Sequence, residues 1–330
     1  MSRLYCSYFD HRYLARGVVM IRSLRRHMPD AEVWVLCLSA EAETILRALA
    51  EPGVHPVSLA EIEAGDAELA RAKADGRGTV EYYFTLTPSL VRYVMNHAPG
   101  AQMVTYLDGD LWFTADPEPV YREMGDASVL IIPHGFADHM RHMEEHGIYN
   151  VGWVSFRNDA RGRACLEWWR DRNNEWCFDY VSEGRYADQG YLDQFPKLFE
   201  GVHVLKNRGA NLAPWNVAAS PLTLRDGMLH AGQDRVTFFH FHGLKRLADG
   251  RYLTSHGFYK APLSALVRDT LYRPYLGEVI AMEQALQARF GALEKDSVRD
   301  LHGGTGGMVQ RLKAALKMLV NRWRGYVIAP

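Results

Sequence analysis

The first fifty residues alternate between two side-chain periods, and that alternation restricts the chain to a narrow set of folds. Leu4 to Phe9 reads as a strand. It leads into a helical stretch from about Tyr13 to Arg26, where Leu14, Val18, Ile21 and Leu24 recur at helical spacing. Glu32 to Leu38 then forms a nearly continuous apolar run, and Glu41 to Ala50 a second helix. This βαβα order predicts a parallel, doubly wound α/β sheet with right-handed crossovers. Downstream, Val54–Val57, Met103–Leu107, Val129–Pro133, Trp153–Phe156 and Val236–Phe241 read as strands. Ala60–Ala74, Pro88–Asn96 and Ala164–Asn174 read as helices, with a break at Asp75-Gly76-Arg77-Gly78-Thr79. The main body is expected to span 1–260, followed by a helical extension over 261–330.

At 330 residues the chain suits one large α/β domain with an appendage. A formal net charge of -1 gives no electrostatic reason to expect nucleic acid as a partner. The four cysteines show neither C-x-x-C spacing nor a dense framework, which predicts reduced thiols in a cytoplasmic protein. The first ten residues lack a signal-peptide apolar region, and no window reaches the roughly 18 apolar residues of a membrane span.

Chemistry concentrates in five segments. In Tyr106-Leu107-Asp108-Gly109-Asp110, two carboxylates one residue apart close an apolar strand. Extended backbone would point both at one cation, and hard divalent ions such as Mg²⁺ or Mn²⁺ prefer such oxygen ligands. Ligands of open α/β sheets gather beyond the carboxyl ends of the strands, where these aspartates would sit. Asn150 and Gly152 stand at a strand entrance, an amide able to hold a sugar hydroxyl beside a residue that permits close backbone approach. Asp188-Gln189 pairs an acid and an amide at the start of a predicted helix, where Asp188 also suits an N-cap. The loop from Lys206 to Asn216 combines a cation, amides and the broad face of Trp215. In Phe238-Phe239-His240-Phe241-His242-Gly243-Leu244-Lys245-Arg246, a strand would set both histidines on one face, followed by two cations.

Taken in order from Leu4 to Arg246, these segments resemble the retaining glycosyltransferases of family 8, the glycogenin and lipopolysaccharide galactosyltransferase group. The resemblance implies the GT-A fold, a Rossmann-like mixed and mostly parallel sheet. It also implies transfer of a sugar from a nucleotide-diphosphate donor, UDP-linked, to a glycan or a lipid-linked or lipopolysaccharide acceptor. On that pattern Ser7, Phe9 and Asp10 occupy the stretch that binds the nucleotide base, and Asp108 and Asp110 match the metal motif for Mn²⁺ or Mg²⁺. His240-Phe241-His242-Gly243 resembles the family's His-x-x-Gly, which makes His240 the first metal candidate and His242 the second. Asn150 falls near the donor sugar, and Asp188 and Gln189 beside the anomeric carbon. Where the family carries Lys-Pro-Trp, this chain has Lys245-Arg246-Leu247, so Lys245 or Arg246 is the diphosphate cation, Arg246 standing nearest to the expected spacing. Thr85 stands where the family's helix carries an arginine that reaches the donor.

The C-terminal stretch carries a second signal. Met308, Leu312, Leu316, Leu319 and Trp323 share one helical face, bordered by Lys313, Lys317 and Arg324 on one side and Arg311 and Arg322 on the other. Such a stripe suits a helix lying in an anionic membrane surface, which predicts a peripheral protein on the inner face of the cytoplasmic membrane. The competing expectation is an amphipathic helix packed on the body. Two rival functions are a noncatalytic sugar- or membrane-binding module on the same scaffold, and a haloacid-dehalogenase-like phosphatase. The phosphatase motif normally lies near the chain start, with Thr or Val soon after its second aspartate, whereas Leu111-Trp112-Phe113 follows here.

Overall fold

The computed structural model describes residues 2–293 and 308–329, without the side chains of 308–315. Its centre is a seven-stranded sheet with β1 (Arg3–Phe9), β2 (Glu32–Cys37), β3 (Val54–Ser58), β4 (Met103–Leu107), β6 (Val129–Pro133), β7 (Tyr149–Arg157) and β8 (Val202–Val204). The strand order is β3-β2-β1-β4-β7-β6-β8. Strand β7 runs antiparallel to both neighbours, while the other pairings are parallel. The sheet is thus mixed and mostly parallel, as expected. The crossover helices are α1 (Leu14–His27), α2 (Ala40–Leu49), α3 (Leu59–Gly65), α4 (Ala67–Ala74) and α5 (Thr79–His97), followed later by α6 (Glu118–Met124) and α7 (Ala160–Glu175).

Alternation along the central strands sorts side chains into two cores. Tyr5 and Phe9 of β1, with Met103 and Leu107 of β4, pack with α1 on one face. Leu4 and Cys6, with Val104 and Tyr106, pack with α5 and α7 on the other. A buried ion pair ties the second layer together, since Asp66 at the N-cap of α4 binds Arg170 of α7 and accepts from Ser89 Oγ of α5 at 2.9 Å. That same cap splits the expected helix over Ala60–Ala74 into α3 and α4. Helix α5 begins nine residues before the expected Pro88, where the Glu81 carboxylate accepts the Gly78 N–H at 2.6 Å across the first turn.

The remaining elements decorate this frame. Strand β5 (Leu111–Phe113) pairs antiparallel with β12 (Phe238–His240), after the short α8 (Phe195–Leu198) and the meander β9 (Leu222–Arg225), β10 (Met228–Ala231) and β11 (Asp234–Arg235). Strands β13 (Lys245–Arg246) and β14 (Tyr252–Leu253) precede α9 (Ala265–Val267), α10 (Arg273–Phe290) and α11 (Met308–Trp323), and β15 (Val327–Ile328) returns to pair with β14. Tyr275, Leu276, Val279 and Met282 of α10 are buried in the core shared with α1, so α10 packs on the body. Among the described residues no helix is long and apolar enough to cross a membrane.

Candidate functional site

The two aspartates converge by a turn rather than by strand alternation. Strand β4 ends at Leu107, and Asp108-Gly109-Asp110 turns into β5, with Leu111 N–H donating to the Asp108 carbonyl at 3.4 Å. Pairing of β5 with β12 sets His240 opposite Leu111, directly beside Asp110. His240 Nε2 lies 3.1 Å from Asp110 Oδ1 and 3.6 Å from Asp108 Oδ2. Among the described residues these three form the group whose donor atoms all lie within 4.8 Å of one another.

The outer oxygens of both carboxylates are already engaged. Tyr106 donates its hydroxyl to Asp108 Oδ1 at 2.9 Å, and Tyr13 to Asp110 Oδ2 at 3.0 Å. Arg16 in turn donates to the Tyr13 oxygen at 3.1 Å and to the Leu244 carbonyl at 3.0 Å. The inner oxygens are thereby left facing the imidazole, two hard donors and one borderline donor in a set that fits Mn²⁺ or Mg²⁺. His240 Nδ1 is buried without a hydrogen-bond partner and faces the Cα of Gly152, where an added Cβ would sit 2.9 Å away. Glycine at 152 is what lets β7 pass this close beneath the ring.

Electrostatics set the two aspartates apart. Burial alone would push both carboxyls up, yet His240, helped by His242 and Arg16, holds Asp110 well below the usual range. Asp108 ends up raised, because burial and the charge of Asp110 outweigh His240 and the Tyr106 hydrogen bond. On His240 burial acts downward, but the two carboxylates prevail and hold the imidazolium. A divalent cation would take the place of that proton.

A cleft of about 340 Å³ opens beside this triad and contains Asn150, Asp188, Gln189, Trp215 and His242. Asp188 is buried, and its Oδ2 accepts from Thr87 Oγ1 of α5 at 2.8 Å. It is not a helix cap, since the following 3-10 turn, Gly190–Gln194, takes Gln189 as its first flanking residue. Burial, reinforced by the charge of Asp108, pushes the Asp188 carboxyl up to about 7 against the Thr87 hydrogen bond. Ala187 just before it has φ +44°, a left-handed conformation uncommon for a residue with a Cβ. Gln189 is fixed at both ends: Oε1 accepts from Asn150 Nδ2 at 3.2 Å, and Nε2 donates to the His146 carbonyl at 2.8 Å. Asn150 Oδ1 accepts from the Gly152 N–H at 3.1 Å. Strand β7 reaches four residues further toward its start than expected, so Asn150 and Gly152 lie within it rather than in a turn. There the register with β6 shifts between Ile131 and Ile132, so the pairing is irregular beside Asn150 and Gly152.

A second cleft, of about 360 Å³, adjoins the first through Tyr8, Phe84 and Asp108, and Phe9, Asp10, Arg12 and Tyr83 also line it. Phe9 and Asp10 are thus both on the surface of this second cleft. Ser7 is fully buried and lies outside the lining of both clefts. His242, its ring centre 5.8 Å from that of His240, lies outside the three-residue metal group and lines the central cleft, where burial lowers its imidazole to about 4. Gly243 has φ +68° in the turn that follows. Lys245 and Arg246 lie on β13 outside the lining of either cleft. Arg246 pairs with Glu283 of α10 at 2.6 Å, and Lys245 is near enough to help depress His242. Thr85 accepts from Arg77 Nη1 at 2.7 Å, in a buried junction with the end of α7. Sequence reasoning missed Tyr13, Arg16, Tyr106, Thr87 and His134, the last with Nε2 3.4 Å from Asn150 Nδ2. They act through spatial contact with candidate residues, and only the three-residue spacing of Tyr13 and Arg16 on one helix hinted at it.

An α/β protein with a carboxylate–imidazole group at the carboxyl ends of its parallel strands, set between two joined clefts, is thus defined. The chain is 31% identical over 306 residues to the uncharacterized protein YfnF of Bacillus subtilis (strain 168), covering 90% of this chain and 99% of that one. It is 30% identical over 291 residues to the uncharacterized protein YfnD of the same strain, covering 86% and 92%. The chain belongs to the family of these two proteins. No family model matches it. Among solved structures, the galactosyltransferase LgtC, crystallised with donor and acceptor sugar analogues, aligns over 72% of this chain and 87% of its own. The TM-score is 0.48 at 18% identity, too low to carry an activity across.

Proposed function

We propose that the protein is a metal-dependent glycosyltransferase of GT-A type, similar to the retaining enzymes of family 8. It would transfer a sugar from a UDP-linked donor to a glycan or lipid-linked acceptor. The observation that carries this reading is the position of the Asp108–Asp110–His240 group at the junction of the two clefts, with Asp188 and Gln189 in the central one. Phe9 and Asp10 lie in the cleft suited to the nucleotide, leaving the central cleft for the sugar. A divalent ion held by the triad would supply positive charge to a departing diphosphate. Tyr13, Arg16 and Tyr106 fix the carboxylates beforehand, so little reorganisation accompanies charge development. Gln189, held by Asn150 and the His146 carbonyl, presents a fixed amide oxygen to the sugar, and ionised Asp188 favours positive charge developing at the anomeric carbon. Asn150 is a positioning residue here. Retention needs no strong protein base at the acceptor hydroxyl. Titration calorimetry with UDP tests the reading: binding should require Mn²⁺ or Mg²⁺, and nucleotide sugars should then be hydrolysed or transferred. Binding of UDP to the metal-free protein at equal strength would overturn the metal assignment, and no UDP binding at all the whole reading.

The reading extends to where transfer takes place. Leu316, Leu319 and Trp323 of α11 are 63%, 61% and 85% exposed, while Asn321 abuts Gly257 of the body. These three residues therefore face away from the protein, and the exposed Lys317 and Arg324 flank them. The cations at Arg311 and Lys313 lie outside the described side chains. An apolar stripe with basic borders suits an anionic lipid surface. Co-sedimentation with phosphatidylglycerol vesicles should be lost in a Leu319→Glu, Trp323→Glu variant. Equal binding by that variant refutes the lipid surface.

A further inference from the structure

The central cleft shares His134 and Phe136 with a third cavity of about 260 Å³, which has no lining residue in common with the nucleotide cleft. The three cavities thus form one series, joined first through Asp108 and then through the His134–Phe136 pair, whose rings stack at 4.7 Å. Lys206, Asn207, Arg208 and Asn216 contribute the polar lining of the third, and no Asp or Glu takes part.

The cationic loop is held from behind. Glu123 accepts the N–H groups of Lys206 and Asn207 at 2.6 and 3.0 Å and the His203 imidazole at 3.0 Å, and Asp234 accepts the Arg208 N–H at 2.9 Å. Both carboxylates are thereby engaged with the loop backbone, and among the described residues neither the Lys206 nor the Arg208 side chain has an ion-pair partner. Across the cavity Asn216 fixes the wall, donating to the His134 and Asn211 carbonyls at 2.8 and 2.9 Å. Two unpaired, exposed cations lining a concave site, with a stacked aromatic pair in its wall, match an anion carried on a sugar ring.

We infer that this third cavity is the acceptor subsite and that the acceptor carries a phosphate or carboxylate, held by Lys206 and Arg208. The inference rests on the glycosyltransferase reading. The test uses the full chain saturated with UDP and Mn²⁺, which occupies the donor side, and titrates glucose 6-phosphate, glucuronic acid and glucose by NMR. At least one acidic sugar should bind about tenfold more tightly than glucose, the scale of one or two charge-assisted hydrogen bonds. The phosphate and carboxylate arms identify which group is preferred. Lys206→Ala with Arg208→Ala should abolish the preference while leaving UDP–Mn²⁺ affinity unchanged. Glucose binding as well as both acids, or a preference that survives the double substitution, overturns the acceptor assignment alone. Failure of UDP–Mn²⁺ to bind overturns the parent reading and this inference together.

Discussion

Asp110 and Asp188 are both buried aspartates lining the joined clefts, yet their surroundings drive them in opposite directions. Asp110 has His240 at 3.1 Å and feels Arg16, and it remains an anion. Asp188 has a neutral hydroxyl for its partner and feels the negative charge of Asp108, so its carboxyl rises to about 7. Burial is common to the two, and the neighbouring charge decides the outcome. One carboxylate keeps its negative charge near neutrality, and the other changes its charge there.

The largest expected effect comes from removing the permanent anion. Asp110→Ala should lower metal-dependent turnover by about a thousandfold, with the fold preserved by circular dichroism. Unchanged turnover would sink the metal assignment. Asp188→Asn keeps the shape and the Thr87 hydrogen bond but loses the charge, and should cost about a hundredfold in kcat with little change in UDP affinity. A matching loss of UDP affinity would merge the two poles into one. Gly152→Ala drives a methyl against the His240 ring, and should weaken Mn²⁺ binding about tenfold, by the logic that governs residues supporting a metal ligand. Tyr13→Phe frees one oxygen of Asp110 and should weaken Mn²⁺ binding by about tenfold or less. Calorimetry on both variants distinguishes ligand positioning from simple loss of fold.

The smallest effect is thermodynamic and tests the comparison directly. The folded Asp188 pKa lies above its unfolded value, so the neutral form stabilises the fold. That contribution is complete below about pH 4 and is lost as pH rises through about 7. The amide introduced by Asp188→Asn does not titrate, so the melting temperature of this variant relative to the parent should rise between pH 5 and pH 8. A constant difference would show that the Asp188 carboxyl is not raised.

The central strands were readable from the sequence because their side chains are buried on both faces and announce themselves as apolar runs. Met103–Leu107 and Val129–Pro133 appear with the expected bounds. The start of α5 was missed because its first turn, closed by Glu81 on the Gly78 N–H, follows a segment whose glycines suggested a break. Asp108, Asp110 and His240 were readable as ligand candidates, but their convergence through a turn and a strand pair depends on the pairing of β5 with β12, separated by more than a hundred residues. The hydroxyl partners Tyr13, Tyr106 and Thr87 sit within apolar stretches and carry no local signature of their role. Arg246 shows the converse case, a cation that a spacing argument assigned to the diphosphate and that the fold pairs with Glu283.

Strand β7 holds Asn150, which positions Gln189, and Gly152, which lies under His240 and gives its carbonyl to the Asp108 N–H. Both poles are therefore borne on a three-residue span of one strand. Substitutions along it should combine with strong epistasis rather than add, and divergence within the family should change the two poles together.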